Sequence, residues 1–431
     1  MRNRAVEFLW KFNGATEELA CRGGSLLSSS GGEMTRFATA IATEPGLDVA
    51  LAHAIGEARS SLGDEPRIAV VFASQSYEGI ETIDARLRAS LPGVPFVGGT
   101  SAGCVFDTEH YADRGVSISL VGGSDIAAVT RSVSVSTQEV FEVAAAAREL
   151  RKLADGHARA GRGELSCLSF APSRNIVGDA LVAALKKGAT TNAQLAGALV
   201  SRENETSGGL VWSDVGGVSA NDVVLAGIFT ERAIGVSARH GWKPIGRAHR
   251  VTRSEGARVV TLDGRPAIDV WLEEARAHGG TIPEDDTLAM YLASHYELAI
   301  LGTEGRGGGE PIVRGSRLVN PDGSVELFGS VPEGASVQLV GASEESMFAA
   351  AELAAARALE GVGGRAAGAL GLMCVGRMLV LGKAYRNEPA LVAQTLGTPF
   401  GGTAVNGEIA LGPRDANGFY NSSAVVVAFP E

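Results

Sequence analysis

The residues Gly99-Thr100-Ser101-Ala102-Gly103 fit the G-x-S-x-G spacing in which a serine between glycines is the nucleophile of a hydrolase. That chemistry needs a helix straight after the serine, so that the hydroxyl stands exposed at a sharp strand-to-helix turn. Here Cys104-Val105-Phe106-Asp107 leads into a polar loop and another β-prone run. Glycines at this spacing equally let a turn pass close to a neighbouring strand or a ligand. The pattern Pro95-Phe96-Val97-Gly98-Gly99-Thr100 returns as Pro399-Phe400-Gly401-Gly402-Thr403, with Ala404 in the serine's place. A catalytic serine does not need a second copy without its hydroxyl, so the repetition favours architecture or a site formed between copies. A serine hydrolase acting through Ser101 stays as an alternative.

Arg377 lies between the apolar runs Leu370 to Val375 and Met378 to Leu381. A guanidinium in that setting needs a carboxylate or carbonyl partner, and Glu408 is a candidate. The other use of such a group is a bidentate clamp on a ligand carboxylate. Buried charges are more often paired within the protein, so the internal pair is favoured. Haem would need an axial ligand in an apolar slot, for which His240 and His295 are candidates, with Cys104 and Cys374 as softer alternatives. No CxxCH marks covalent haem attachment, and a lone histidine is commonly a structural hydrogen-bonding group. Gly305-Arg306-Gly307-Gly308-Gly309-Glu310 ends in an acid where a dinucleotide loop needs glycine, so it reads as a surface loop.

The chain has 431 residues, 45% hydrophobic and 20% charged, enough for two or more globular cores. Its formal net charge of -11, with no cluster of Lys and Arg, excludes a nucleic-acid partner. Cys21, Cys104, Cys167 and Cys374 form no CxxC pair, which fits a reducing cytoplasm and no structural zinc. No run is long enough to span a bilayer, and Phe8 to Trp10 is too short for a signal peptide. These features predict a cytoplasmic protein without a membrane partner.

The positioning elements follow from periodicity. Ile68 to Phe72 is a buried strand, Tyr77 to Leu91 is helical, and Val94 to Val97, Val116 to Val121 and Ile126 to Val135 are strands. After a helix from Thr137 to Leu153 the order repeats: strand Leu165 to Phe170, helix Ile176 to Lys186, strand Leu195 to Val200, then strands near Leu210, Val223 to Phe229 and Ala233 to Ser237. The pattern predicts two β-α-β-β-β copies and a partial third, with helix Glu388 to Leu396 and last strand Ala424 to Phe429. The expected fold class is α/β (α+β): a layered sandwich of mixed and antiparallel sheets covered by helices, in two domains. Residues 1-33, rich in glycine and serine, read as a flexible leader, and Met34 is a candidate for the true start. Glu304 to Glu310 reads as a mobile loop.

Several blocks resemble the FIST (F-box and intracellular signal transduction) family. They are His240-Gly241-Trp242-Lys243-Pro244-Ile245-Gly246, Val251-Thr252-Arg253 and Leu262-Asp263-Gly264-Arg265-Pro266-Ala267, which look like the signature joining two FIST domains. Pro95 to Gly103 is similar to FIST N-terminal domains. Arg317-Leu318-Val319, Val331-Pro332-Glu333-Gly334, Cys374-Val375-Gly376-Arg377, Gly407-Glu408-Ile409 and Asn421 are similar to FIST C-terminal domains. The resemblance implies a FIST N-terminal domain over 34-240 and a FIST C-terminal domain over 241-431. It implies a sensory protein rather than an enzyme, taking an amino acid or other small carboxylate and signalling through a separate partner such as a histidine kinase. The ligand pocket expected on this basis combines Thr100, Ser101, Arg377, Glu408 and Asn421. No cofactor is expected in that reading. Some members of the family are haem proteins that sense nitric oxide, which makes His240 the cofactor ligand of the alternative.

Overall fold

A computed structural model describes residues 34–135, 140–174, 176–189, 193–201, 208–283, 285, 287–303, 310–412 and 418–431. The leader and most of the Glu304 to Glu310 loop lie outside the described residues. The described chain is a mixed α/β assembly of helix-covered sheets built from repeated units.

The first unit is β1 (Arg36–Ala42), α1 (Leu47–Leu62), β2 (Pro66–Ala73), α2 (Ile83–Ser90), β3 (Phe96–Thr100), the hairpin β4 (Val105–Phe106) and β5 (Tyr111–Ala112), and β6 (Val116–Gly122). The second is β7 (Ile126–Ser134), α3 (Phe141–His157), β8 (Glu164–Pro172), α4 (Gly178–Ala189), β9 (Gln194–Val200), the hairpin β10 (Val211–Ser213) and β11 (Gly217–Ser219), and β12 (Asp222–Thr230). The third starts with β13 (Gly235–Arg239) and is interrupted by an insert. The insert holds β14 (Lys243–Glu255), β15 (Arg258–Leu262), β16 (Arg265–Pro266), α5 (Ala267–Ala277), α6 (Leu288–His295), β17 (Glu297–Ile300), β18 (Ile312–Arg314), β19 (Ser316–Val319), β20 (Val325–Leu327) and β21 (Ser336–Gly341). The unit resumes with α7 (Glu344–Gly361), β22 (Ala366–Cys374), α8 (Gly376–Leu381), α9 (Asn387–Leu396), β23 (Phe400–Val405), the hairpin β24 (Glu408–Leu411) and β25 (Phe419–Tyr420), and β26 (Ala424–Pro430).

The repeat differs from the expected one. The described residues form three whole copies, and strands read as the end of one copy, Ile126–Ser134 and Gly235–Arg239, begin the next. In each copy the first strand pairs antiparallel with the last: β1 with β6, β7 with β12, and β13 with β26. Each copy also has one parallel pair bridged by a helix: β2 with β3, β8 with β9, and β22 with β23.

The hairpins are exchanged around a ring. β10 lies on β3 of the first copy, β24 on β9 of the second, and β4 on β23 of the third. Strands on either side of residue 240 therefore share sheets. A close backbone approach fixes the register in all three. A Cβ on Gly98, Gly197 or Gly402 would stand 1.7, 1.8 or 1.9 Å from the carbonyl oxygen of Val71, Ser169 or Gly371, so only glycine fits.

The inner faces of the three sheets pack Phe72, Phe170, Leu372 and Phe429 into one central core. The outer faces bury the helices, with Leu51 and Ile55 on the first copy, Leu150 and Leu185 on the second, and Met347 and Val392 on the third. The insert has its own core around Trp271 and Leu298. The middle of the ring is thus filled with side chains.

Candidate functional site

The insert meets the third copy at a buried polar cluster. Arg377 opens α8, Cys374 ends β22, Glu408 starts β24, Asn421 to Ser423 form the turn before β26, and Glu297 starts β17. Arg377 Nε donates to both oxygens of Glu388 at 3.0 Å. Its Nη2 donates to Met347 O at 2.8 Å and to Glu388, and its Nη1 donates to His240 O at 2.9 Å and Ser422 O at 3.2 Å. Those contacts use all five guanidinium N–H groups. Arg377 is therefore a fully buried anchor with no donor left for a ligand carboxylate, and its partner is Glu388 rather than Glu408. Burial opposes its charge, but Glu388 holds its pKa above the ordinary range.

A second buried arginine ties the insert to the ring. Arg314 Nη2 donates to Asp179 Oδ1 at 2.7 Å, Nη1 to Phe419 O at 3.2 Å, and Nε to Ser330 O at 3.3 Å. Ser330 N–H completes the link by donating to Asp179 Oδ2 at 2.8 Å. Strand β18 is thereby joined to α4 and β25.

Two carboxyls sit between these anchors. Ser422 Oγ donates to Glu297 Oε1 at 2.6 Å, and Ser423 N–H donates to Glu408 Oε2 at 3.1 Å. Their other oxygens, Glu297 Oε2 and Glu408 Oε1, are buried without a hydrogen-bond partner, as is Asn421 Oδ1. The three residues are 1%, 0% and 4% exposed. Leaving such a group unpaired costs about 1–3 kcal/mol. Ser422 has φ +56, a left-handed conformation unusual for a residue with a side chain, and its carbonyl and hydroxyl are held by Arg377 and Glu297.

Burial pushes the Glu297 carboxyl up to about 8, against the pull of the Ser422 hydroxyl, Arg377 and Arg314. Burial also raises Glu408, which Glu297 reinforces and Cys374, Ser423 N–H and Arg377 oppose. The Cys374 thiol is pushed well above its usual value, first by burial and then by Glu408. Burial thus favours the protonated form of both carboxyls at neutral pH.

The ring supplies an internal control for Glu408. Gly98, Gly197 and Gly402 are equivalent, and they face Trp212, Ile409 and Phe106. The residue one step earlier is Val211, Glu408 or Val105. Val105 and Val211 are fully buried, so the fold is satisfied by valine twice at this position. The architecture does not require a carboxylate there. Glu408 is present only in the copy that faces the insert.

Of the other predicted residues, Thr100 Oγ1 donates to Ser201 O at 2.8 Å and accepts from Leu210 N–H at 3.1 Å. Ser101 Oγ donates to Cys104 O at 2.7 Å and accepts from Gly103 N–H at 3.2 Å. Thr403 Oγ1 donates to the same Cys104 carbonyl at 2.8 Å, so the two glycine-bounded turns are stitched together. These hydroxyls lock turns, and none of their hydrogen bonds reaches Glu297 or Glu408. The residue after Ser101 leads to β4 and not to a helix.

His240 Nδ1 accepts from Trp242 N–H at 2.9 Å, so its Nε2 carries the proton and donates to Pro311 O at 2.9 Å. Burial lowers its pKa and keeps it neutral. Both nitrogens are engaged, so His240 as arranged does not fit an axial haem ligand. His295 is exposed and stacked on Tyr291 at 4.4 Å, outside the apolar slot such a ligand needs.

Sequence reasoning did not single out Glu297, Glu388, Arg314 or Ser422 as site residues. Glu297 had a signal, as an acid at the head of the apolar run Leu298 to Leu301. Glu388 had none, since an acid in the first turn of a helix is ordinarily a solvated one.

The FIST N domain model matches residues 67–265 and the FIST C domain model matches residues 267–411. The chain belongs to the FIST family. FIST domains are associated with signal transduction and the sensing of small ligands. In this FIST chain β1, at the edge of the first copy's sheet, and β26, between β13 and β22 in the third, lie beyond the two matched ranges. Uncharacterized proteins of Mycobacterium bovis and Mycobacterium tuberculosis are each 28% identical over 222 residues, 48% of this chain and 55% of theirs. The chain thus spans about half the length of the curated relatives it matches. Among solved structures, a chorismatase aligns at 9% identity and TM-score 0.25 over 72% of this chain and 99% of its own. A cyanuric acid hydrolase from A. caulinodans aligns at 9% and 0.29 over 92% and 99%. Likenesses at that level carry no argument about chemistry here. No helix among the described residues is long and apolar enough to cross a membrane.

Proposed function

We propose that this FIST protein is a cytoplasmic sensor, not an enzyme, which binds a small metabolite at the junction of insert and ring. A separate signalling protein such as a histidine kinase would read the occupied state. The observation that carries the reading is Glu408, a buried acid with a free oxygen where the two sister copies have valine. Glu297 and Asn421 bring two more free oxygens to the same turn. A fold does not retain such groups for stability, because each costs more than the apolar residue it replaces.

Since the carboxyls are fully buried, a ligand reaches them only when the insert moves relative to the ring. Such a ligand shifts the population of orientations by its differential affinity for them. A metabolite screen by thermal shift on the wild type and on Glu408→Val tests the site. The reading expects a compound, an amino acid or other small metabolite, that raises the wild-type Tm and leaves the variant unmoved. Compounds that stabilise both equally would place the ligand elsewhere.

A further inference from the structure

The chemistry of the three free oxygens narrows the ligand, on the reading that the junction is the binding site. All three are acceptors when the carboxyls are ionised, and the residues that carry them meet at one turn: Ser422 Oγ donates to Glu297, Ser423 N–H donates to Glu408, and Asn421 precedes both. A ligand carboxylate would need a cation in the pocket. Of the two arginines buried at the junction, Arg377 has no N–H left after Glu388 and three carbonyls, and the charge of Arg314 is already balanced by Asp179, with Phe419 O and Ser330 O as its other acceptors. We infer that the junction takes an alkylammonium group, whose three N–H donors meet Glu297 Oε2, Glu408 Oε1 and Asn421 Oδ1, and that a carboxylate is not held at those three oxygens.

The charge balance follows. In the empty site the carboxyls keep their protons, because the low-dielectric surroundings offer no free countercharge. The groups facing them are Arg377, Arg314, the Cys374 thiol, the Ser422 hydroxyl and Ser423 N–H. An arriving ammonium is that countercharge. Each carboxyl that ionises beside it gives one proton to solvent, leaving a carboxylate–ammonium pair.

Calorimetry of the full chain near neutral pH, in two buffers of different ionisation enthalpy, tests this with butylammonium, butyrate and butanol, which share one apolar body. Butylammonium is expected to bind with release of at least one proton, and butyrate and butanol are expected not to bind. Its affinity should rise by about tenfold per pH unit for each proton released, until the empty site ionises by itself. Glu408→Val, which places at this position the residue its sister copies use, should fold and lose the binding.

Butyrate binding with proton uptake, lost in Glu408→Val, would overturn the ammonium inference and leave the site standing. Sodium or magnesium chloride giving the same proton release as butylammonium would overturn it in favour of an inorganic cation. Failure of butylammonium to bind also sinks it. Butylammonium bound equally by wild type and Glu408→Val would instead remove the site itself.

Discussion

Glu297→Gln should change how stability depends on pH, and the sign follows from burial. In the unfolded chain Glu297 titrates at its ordinary 4.5, and in the folded protein at about 8. The folded state therefore holds the proton more tightly, which stabilises the protein fully below 4.5. That stabilisation is lost between 4.5 and about 8, a span worth about 5 kcal/mol at roughly 1.4 kcal/mol per pH unit. Between pH 5 and pH 7 the wild type should lose about 3 kcal/mol through this group alone. That is a large part of the 5–15 kcal/mol typical of a folded protein. Glutamine cannot titrate but keeps an oxygen for Ser422 Oγ. Urea unfolding of both proteins at a series of pH values reads the effect, since groups not coupled to Glu297 cancel in the difference and Glu408, which Glu297 raises, adds to it in the same direction. The variant should gain on the wild type by about 3 kcal/mol from pH 5 to pH 7. A difference independent of pH would refute the burial argument, and a difference of opposite sign would mean that Arg377 or Arg314 dominates.

Glu388→Gln, which breaks the buried pair with Arg377, should cost about 3–5 kcal/mol in chemical denaturation. Gly402→Ala, whose Cβ would meet Gly371 O at 1.9 Å, should cost about 3 kcal/mol or more. Gly56→Ala, in the exposed face of α1 with nothing within 4 Å, should stabilise by about 0.5–1 kcal/mol in the same assay. Arg314→Met should speed hydrogen exchange in β17, β18 and β25 while leaving β8 and β12 protected, because Arg314 ties the insert to α4 and β25.

The layered α/β fold was legible because its central strands, such as Leu165 to Phe170, are continuous buried runs, and period-2 and period-3.6 patterns alternate between them. Strand β1 was not, since Arg-Phe-Ala-Thr-Ala-Ile-Ala offers one arginine, four small residues and only two larger apolar ones. The third copy was seen in part because the insert separates β13 from α7. Hairpin exchange depends on pairings such as Trp212 with Gly98, more than a hundred positions apart, which no local pattern encodes. At the site, Arg377 and Glu408 stood out as charges beside apolar runs, but their partners did not. Glu388 pairs with Arg377 only because the 382–386 turn brings the start of α9 beside Arg377, and the freedom of the Glu408 oxygen depends on where the 421–423 turn lies.

The most direct test of the junction as a ligand site is a crystal structure of the protein with the metabolite that most raises its Tm. The account predicts ligand density between insert and ring, within hydrogen-bond reach of Glu297, Glu408 and Asn421. Density confined to another place, such as the groove of about 700 Å³ lined by Glu57, Asp107 and Gln394, with those three side chains unmoved, would contradict it.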